Sequence, residues 1–461
     1  MAIHIGRASL ALLLGGCVLA PAGLDEERAA LDESGRAFAA PFAAREVPPL
    51  AERPGWRELL ARAFAANGEL EAAYFEWRAA LERVSIAAGW PDTNVMPSFS
   101  TMFSDESMKA WDRTTVMLGF DPMSNLSLPV KVRKAGEVAL AEARAAGSRF
   151  AAGKFALQRA VLDGWLELAL REEEVRIQAE RLALARAAFE SAAERAAVAG
   201  EHRDLLRMQV EAREAEIELE AFETQARAAR AMLNGMLARA AGDPLEIEPA
   251  LPPPRPLPAD DAVLLAAGVA NNPELRALAF AVDAGAEALE LARLQVLPDF
   301  NPFASLTGSL ERMIGVGVSL PTRLPQIRAG IAAARAMLRE TQAMRRQTEL
   351  DRSASFAAAL VVLRFSERQA DFLAREIQPV AEQALGSAHK AYATGEASFL
   401  ELLAAQEVLL DVRLAVAEAR IERERRLAEI EELAGLDVET LAPGGGQPIA
   451  FATTAEVDRH E

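Results

Sequence analysis

Apolar residues recur at seven-residue intervals along much of the chain. In the first half, one such row consists of Val161, Leu168, Val175, Leu182 and Phe189. In the second half, a similar row is interrupted once by Arg423 and consists of Leu402, Leu409, Val416 and Ile430. This spacing predicts long helices packed as left-handed coiled coils. No proline occurs from 131 to 198, so the pattern predicts a helix about 100 Å long there.

Shorter segments alternate with a period of two residues, which predicts β-strands. In Glu311 to Leu320 one face carries Ile314, Val316, Val318 and Leu320, and the other carries small or polar residues and Met313. Thr114 to Phe120 shows the same alternation more weakly, while Val95 to Phe103 and Phe300 to Thr307 are less regular. An apolar face opposite a small or polar face is typical of strands in a membrane barrel.

Four strands cannot close a barrel that holds water, because even eight strands enclose only their own side chains. No other segment has the pattern of a transmembrane helix, and lipid does not tolerate open strand edges. Membrane strands would therefore have to be pooled between chains, and three chains would supply twelve. The alternative interpretation is two soluble hairpins that cap a helical bundle.

The chain is an internal duplication. Matching landmarks recur in the same order about 200 residues apart: Asn67-Gly68-Glu69-Leu70 and Asn272-Pro273-Glu274-Leu275 open the halves, and Ser-Leu-Pro precedes each long helix. The predicted segments are a signal peptide (1–16), a lipidated N-terminal segment (17–54), a first repeat (55–242, strand pair 95–128), a proline-rich linker (243–260), a second repeat (261–436, strand pair 299–320) and a C-terminal tail (437–461).

Each repeat is expected to contain one helical hairpin, which reverses at a glycine. Gly200 and Gly395 lie where the long helical patterns break, and glycine is the usual residue at the left-handed end of a helix. The predicted tips are therefore near residues 200 and 395. The linker contains Leu251-Pro252-Pro253-Pro254-Arg255-Pro256, a density of proline that predicts an extended connector.

The N-terminus resembles a bacterial lipoprotein signal. Arg7 precedes a short apolar run that ends in Leu14-Gly15-Gly16-Cys17, and the run is too short to span a bilayer. Cys17 is the single cysteine of the chain and is the expected site of covalent lipid attachment. Val18 follows it, where an acidic residue would favour the inner membrane, so the outer membrane is expected. The alternative is an ordinary secretion signal with an incidental cysteine.

Composition excludes several function classes. The formal net charge is −18, and no basic block stands apart from acidic neighbours, so no nucleic-acid partner is expected. No phosphate-binding or nucleophile motif occurs, and the acidic run Glu172-Glu173-Glu174 fits a solvated helix face, so the chain is not expected to be an enzyme. His202 and His389 lie near the predicted tips without a nearby second ligand. No metal site and no cofactor other than the lipid on Cys17 are therefore expected.

From about Glu58 to Leu436 the chain resembles the TolC-type outer-membrane efflux proteins. The resemblance rests on the duplication, the Asn-Pro-Glu-Leu start of the second half, Ser-Leu-Pro before each long helix, and the segment from Tyr392 to Leu403. Asp121-Pro122-Met123 is also similar to the branch that exports heavy-metal cations. The resemblance implies a mainly α fold with a small β part, in which long helical hairpins form a coiled-coil barrel. It also implies a homotrimer whose four strands per chain form one twelve-stranded outer-membrane barrel.

The resemblance implies the partners and the site as well. They are a periplasmic adaptor protein, an inner-membrane pump of the resistance-nodulation-division type and outer-membrane lipid. The lipid-anchored protein would extend from the outer membrane into the periplasm. The residues implied to contact the adaptor are Gly200, Glu201, Tyr392, Gly395, Glu396 and Ser398. Some members of the family close the tip with aspartates that this chain lacks, and Glu382 is the nearest acid for a gate, with a solvated helix charge as the alternative.

These observations favour an outer-membrane exit duct that passively conducts substrates delivered by an adaptor and a pump. The alternative is a coiled-coil lipoprotein scaffold of the envelope that conducts nothing. The alternating strands distinguish the two functions, because only a duct needs them to insert as a barrel. The transported substrate and the identity of the pump are left open.

Overall fold

The computed structural model describes residues 19–90, 95–103, 109–120, 126–199, 202–247, 253–257, 261–309 and 311–438. Its first α-helices are α1 (Leu24–Ser34), α2 (Trp56–Ala66), α3 (Gly68–Ala87), α4 (Pro129–Ala199) and α5 (His202–Met236). The later ones are α6 (Asp261–Asn271), α7 (Pro273–Leu294), α8 (Leu324–Phe372), α9 (Gln378–Thr394) and α10 (Phe399–Ala434). The expected fold class, long helices with a small β part, is confirmed. None of the described helices combines the length and apolar character needed to cross a bilayer.

The strands form one antiparallel sheet in the order β1 (Val95–Thr101), β2 (Thr114–Phe120), β3 (Asp299–Thr307) and β4 (Glu311–Ser319). The first hairpin pairs Phe99 with Val116, and the second pairs Ala304 with Ile314. The two repeats meet where Val116 pairs with Leu306. The sheet therefore takes two neighbouring strands from each repeat.

The chain packs as two units, and each contains residues of both repeats. The first unit comprises Met1–Gly35, Ala73–Phe150 and Glu274–Glu349. The second comprises Arg36–Ala72, Ala151–Pro273 and Leu350–Glu461. The repeats recognised in the sequence are thus not the units in which the chain packs.

In the first unit, aromatic side chains fix α1 against α3 and α4. The Trp77 indole donates a hydrogen bond of 3.0 Å to a carboxylate oxygen of Glu27, and its ring stacks on Phe150 at 5.7 Å. Near the sheet, the buried Lys131 ammonium donates to Asp299 at 2.9 Å. This ion pair joins the start of α4 to the start of β3.

In the second unit, the seven-residue rows form the helical seams that their spacing predicts. Val161, Leu168 and Leu182 are buried. One apolar cluster joins α6, α8, α10 and the segment after α10, and consists of Leu264, Phe356, Ala359, Leu360, Leu363, Leu427, Ile430, Ala434 and Val438. Arg423, the interruption of the second row, is buried as well.

The second long helix contains a wide turn that the periodicity did not predict. Leu373–Ile377 is π-helical and separates α8 from α9, and Pro379 lies at the start of α9. Proline has no amide hydrogen, and its ring collides with the carbonyl four residues earlier. A π turn directly before the proline relieves this collision while the helix continues.

The linker is anchored in the second unit through Arg255. Its guanidinium is buried and donates to Glu424 at 2.8 Å and to both carboxylate oxygens of Glu431 at 3.0 and 3.1 Å. The Arg255 carbonyl accepts a 2.8 Å hydrogen bond from Arg423. The extended connector expected from the prolines is therefore held by a buried ionic contact over residues 253–257.

These groups form the Arg255 cluster, defined as Arg255, Arg423, Glu424, Glu431 and Asp437, all of which are buried. Its two guanidinium groups face three carboxyl groups, so full ionisation would leave one uncompensated negative charge. The pKa of Glu431 is raised to about 7, chiefly by burial; Arg255 opposes the rise, and the neighbouring Asp437, which shares a hydrogen bond with Glu431, contributes to it. The cluster therefore favours binding one proton near neutral pH.

The acidic run on α4 differs from the solvated face that was expected. Glu172 pairs with Arg230 of α5 at 2.9 Å, and Glu174 is buried and pairs with Arg171 at 2.7 Å. The acids lie in the seam between helices, where arginines neutralise them. The expectation of solvated acids was wrong for Glu174.

Candidate functional site

The second hairpin reverses between α9 and α10 through a four-residue turn. Gly395 follows α9 in a left-handed conformation, with φ of +79°, which favours glycine because a Cβ atom is strained there. The amides of Glu396 and Ala397 both donate to the Ala391 carbonyl, at 2.8 and 3.1 Å. These bonds satisfy the end of the helix and reverse the chain.

Ser398 caps the start of α10 through a reciprocal pair of hydrogen bonds. Its hydroxyl accepts from the Glu401 amide at 3.3 Å, and the Glu401 carboxylate accepts from the Ser398 amide at 2.7 Å. The rings of Tyr392 and Phe399 lie 5.8 Å apart across the turn. The interpretation of the sequence missed Glu401 and Phe399 as structural members of the tip, although Ser-x-x-Glu before a helix is the signal of such a cap.

Below the turn, an apolar cluster joins the two hairpins. The buried members come from α4, α5 and α10 and are Ala188, Ala192, Met208 and Leu403. Leu184, Phe189 and Phe399 pack against them. The turn therefore rests on a packed base that includes the end of the first hairpin.

Replacing Ser398 by alanine should loosen the turn by about 1 kcal/mol, because the Glu401 amide loses its acceptor. Hydrogen exchange of the amides of 399–403 should become faster accordingly. Ser387→Ala is the matched control, since this exposed hydroxyl only donates to a carbonyl within its own helix, at 3.0 Å. Equal exchange rates in the two variants would contradict the role of the cap.

The structure places four of the implied adaptor contacts together at this turn. Tyr392, Gly395, Glu396 and Ser398 are all exposed. Gly200 and Glu201 of the first hairpin lie outside the described residues, as do Cys17 and the segment Asp121-Pro122-Met123. Contact with an adaptor stays a prediction for all six tip residues.

Glu382 and His389 are exposed on α9. The Glu382 carboxylate accepts a 2.9 Å hydrogen bond from the Gln378 side chain one turn earlier, so it is held along its own helix. His202 is the first residue of α5, and its side chain lies outside the described part. The described residues contain no group of three metal-binding side chains. A gate at Glu382 stays a prediction.

At the sheet, the register gathers most of the apolar side chains of the four strands on one face, with Arg312 at its end opposite Leu306. Its described members, here called the apolar face, are Pro97, Phe99, Val116, Leu118, Phe300, Pro302, Ala304, Leu306, Ile314, Val316 and Val318. Ile314 is 90% exposed and Phe99 is 72% exposed. The chain therefore leaves this face uncovered, whereas a soluble protein would bury a continuous apolar surface of this kind.

The opposite face of the sheet is small and polar. It consists mainly of Ser98, Ser100, Thr115, Gly119, Asn301, Ser305, Thr307, Gly315 and Gly317, with Met96, Met117, Met313 and Phe303 among them. The hydroxyls of Thr115 and Thr307 lie 3.0 Å apart across the junction of the repeats. This face is suited to water, and the apolar face is suited to lipid.

The ends of the two β-hairpins are tied together. An Asp112 carboxylate oxygen accepts a 2.9 Å hydrogen bond from the Ser309 amide and another from its hydroxyl. Gly308, with φ of +50°, comes so close to Asp112 that an added Cβ would lie 2.4 Å from the Asp112 Cα. Glycine is therefore required at this close approach.

The chain combines long helical hairpins with a small antiparallel sheet that has one apolar face, and solved outer-membrane channels have the same fold. The chain is similar to the outer membrane protein VceC of Vibrio cholerae, with 19% identity, a TM-score of 0.64 and coverage of 82% of this chain and 96% of that chain. It is similar to the CmeC outer membrane channel of Campylobacter jejuni, with 15% identity, a TM-score of 0.64 and coverage of 82% and 85%. It is also similar to the open state of the MtrE outer membrane channel of Neisseria gonorrhoeae, with 19% identity, a TM-score of 0.63 and coverage of 82% of this chain and 88% of that chain.

Residues 264–436 match the family model of outer membrane efflux proteins. This match covers the second repeat, including α8, α9, α10 and the turn at Gly395. No curated protein sequence matches the chain. The resemblance to TolC-type outer-membrane efflux proteins is thus confirmed, by the sequence match in the second repeat and by the fold over most of the chain.

Proposed function

We propose that this chain forms the outer-membrane exit duct of a tripartite efflux system. The observation that carries the proposal is the uncovered apolar face of the sheet, backed by a small and polar face. Such a sheet is stable when lipid covers one side and water fills the other. The scaffold alternative gives this face no role, because a spacer has no need for strands suited to lipid.

Closure of the sheet requires further copies. β1 and β4 are the outer strands and each pairs on one side only among the described residues. Open edges are not tolerated in lipid, and four strands cannot enclose water. Three copies would close the sheet into a barrel of twelve strands.

The helices support the same association. Leu206, Val210 and Ile217 form an exposed row on α5 and are at least 55% exposed. Val361, Phe365 and Phe372 form an exposed row on α8 with the same spacing. Apolar rows at these intervals are helix-packing surfaces, so each row would be covered in a bundle of several copies.

In this proposal the two ends of the chain's hairpins have different partners. The sheet lies in the outer membrane with the lipid of Cys17 as an additional anchor, and the turn at Gly395 lies in the periplasm. There its exposed residues would contact an adaptor that connects to an inner-membrane pump of the resistance-nodulation-division type. The duct conducts passively and needs no catalytic residue.

The proposal is tested by the mass and the conductance of the full-length, lipidated protein purified in detergent. Native mass spectrometry should give a trimer, and addition to a planar bilayer should give discrete conductance steps. Monomers, or trimers that never insert, would contradict the duct and favour the scaffold. Val316→Arg is the matched negative control for insertion.

A further inference from the structure

Helix α8 carries an unpaired row of arginines. Arg328, Arg335, Arg339 and Arg346, here called the arginine stripe, are all exposed. At 3.6 residues per turn they lie within a sector of about 40° and extend over about 27 Å of helix. Among the described residues, none of the four forms an ion pair, although the chain as a whole carries a net charge of −18.

The basic residues at the start of α4, the equivalent helix of the first repeat, are paired instead. Lys131 pairs with Asp299, Lys134 pairs with Glu287, and Arg149 lies 3.4 Å from Glu76. These basic side chains of α4 are thus neutralised within the chain, whereas those of the arginine stripe are not. Four like charges in one row repel each other, so the row is expected to face an acidic surface.

Helix α7, beside which α8 lies, does not cover the arginine stripe with an acidic surface. Between 324 and 349 no residue of α8 is buried. The partly covered positions lie along one line, which includes Leu338, the side chain nearest to Gly285 of α7. On α4, by contrast, most positions between 131 and 150 are buried or half-buried. Helix α8 thus lies at an open edge of the first unit, like β4 in the sheet.

Helix α1 offers an acidic surface of matching size. Its five acids are Asp25, Glu26, Glu27, Asp32 and Glu33, against the single base Arg28. Glu27 is used by the Trp77 indole, and the other four acids are exposed. Asp25 lies 3.5 Å from Arg28 of its own helix, so Glu26, Asp32 and Glu33 are the exposed acids of α1 that have no ion pair among the described residues.

The arginine stripe and helix α1 also lie on the same side of the layer to which α4 and α8 belong. Helices α4 and α8 both run away from the sheet, each after the second strand of its pair. On α4, Phe150 contacts α3, and Arg144, rotated from it by about 120°, reaches Glu27 of α1. On α8, the arginine stripe is rotated in the same sense by about 60° to 100° from Leu338.

We propose that the arginine stripe of α8 docks on the acidic helix α1 of a neighbouring copy of this chain. The proposal rests on the association of copies proposed above, and it identifies an electrostatic contact within that association. It is a head-to-tail contact, in which a basic edge meets the acidic edge of the next copy, so it can repeat around a closed ring. Leu24, the first residue of α1, follows Cys17 by seven residues. The lipid of each copy would therefore be attached close to the contact with the next copy.

The test uses reversed charges in the full-length protein. Arg335→Glu with Arg339→Glu should lower the temperature at which the trimer dissociates by about 2 °C, measured by light scattering in detergent at low salt. Asp32→Lys with Glu33→Lys should produce a similar fall. Combining the four changes should restore at least half of the loss, which a misfolded protein could not do.

Salt gives a second measure of the contact. In 1 M salt the Debye length is about 3 Å, so the parent should lose most of its advantage over the reversed variants. Arg227→Glu with Arg420→Glu, which reverses two exposed charges on α5 and α10 outside both surfaces, is the matched control and should leave the dissociation temperature unchanged.

The proposed duct and the proposed contact can fail separately. A parent protein that is not a trimer contradicts both proposals. A trimeric parent whose reversed variants dissociate at the parent's temperature contradicts only the contact between α1 and α8. Reversed variants that keep this temperature but lose binding to phosphatidylglycerol vesicles, or conduct cations rather than anions, would also overturn the contact and assign the stripe to lipid or to the conduit.

Discussion

Val316→Arg should prevent the protein from inserting into lipid bilayers, whereas Met313→Arg should not. Val316 lies in the middle of the apolar face and is 58% exposed, while Met313 lies on the same strand and the opposite face. An arginine that faces the middle of a bilayer costs about 2 to 4 kcal/mol. Every copy in the barrel would carry this cost. An arginine that faces water costs little.

Insertion is measured by flotation of the protein with liposomes and by conductance in a planar bilayer. Met313→Arg controls for the effect of a long cation on the folding of β4, and it should insert and shift ion preference toward anions. If both variants inserted equally, or if neither did, the assignment of the two faces would be wrong. The helix content of both variants, measured by far-ultraviolet circular dichroism, should match that of the parent, because the change is confined to the sheet.

Arg255→Ala should destabilise the second unit by about 3 to 5 kcal/mol at pH 8, because two buried carboxylates lose their partner. Hydrogen exchange of 420–434 in α10 should report the change, since this segment carries Glu424 and Glu431. Arg53→Ala is the matched control. It breaks a solvent-exposed pair with Glu246 at 3.5 Å and should cost less than about 1 kcal/mol. Equal effects of the two variants would contradict the anchoring of the linker.

The same cluster should make stability depend on pH. The folded-state pKa of Glu431 is about 7, against 4.5 for a free glutamate, so the folded chain binds this proton more tightly. The resulting stabilisation is complete below pH 4.5 and is lost as the pH rises to about 7, with a total of about 3 kcal/mol. Glu431→Gln cannot ionise and should remove this dependence in α10. A slope that is unchanged in Glu431→Gln would assign the effect to other groups.

The strands differ in how clearly the sequence predicts them, and proline is the physical reason. β2 and β4 alternate between aliphatic and small or polar residues, and the pattern shows their positions directly. β1 and β3 contain Pro97 and Pro302, which weaken a strand pattern because proline cannot donate to a ladder. In the structure β1 is an outer strand, and the ladder between β2 and β3 ends at Phe303, next to Pro302. Both prolines thus occur where a missing donor is tolerated.

The Arg255 cluster shows what local patterns could not predict. A proline-rich segment indicates an extended chain, but no pattern within it indicates which helices it contacts. The single signal was Arg423, a charged residue at a position where the seven-residue row demands an apolar one. Its partners in the linker and on α8 are more than 50 residues away, so only the fold reveals them.

The candidate site was predictable in part for the same reason. The turn at Gly395 follows from glycine and the break in the helical pattern, which are local features. The apolar cluster below it combines Met208 of one repeat with Leu403 of the other, and neither residue has a sequence pattern that indicates this contact. The proposed role of the exposed residues depends on a partner, which no pattern within the chain can identify.

The junction between β2 and β3 has an evolutionary consequence. Thr115 to Gly119 of one repeat pairs with Phe303 to Thr307 of the other, so the ladder within the chain joins two halves that descend from one ancestral unit. Before the duplication, a single-repeat polypeptide could have formed this ladder only between separate molecules. A barrel of twelve strands would then have required six such polypeptides. In such a barrel, fusion of the genes would have converted every second intermolecular seam into an intramolecular one and left the two versions of the hairpin free to diverge.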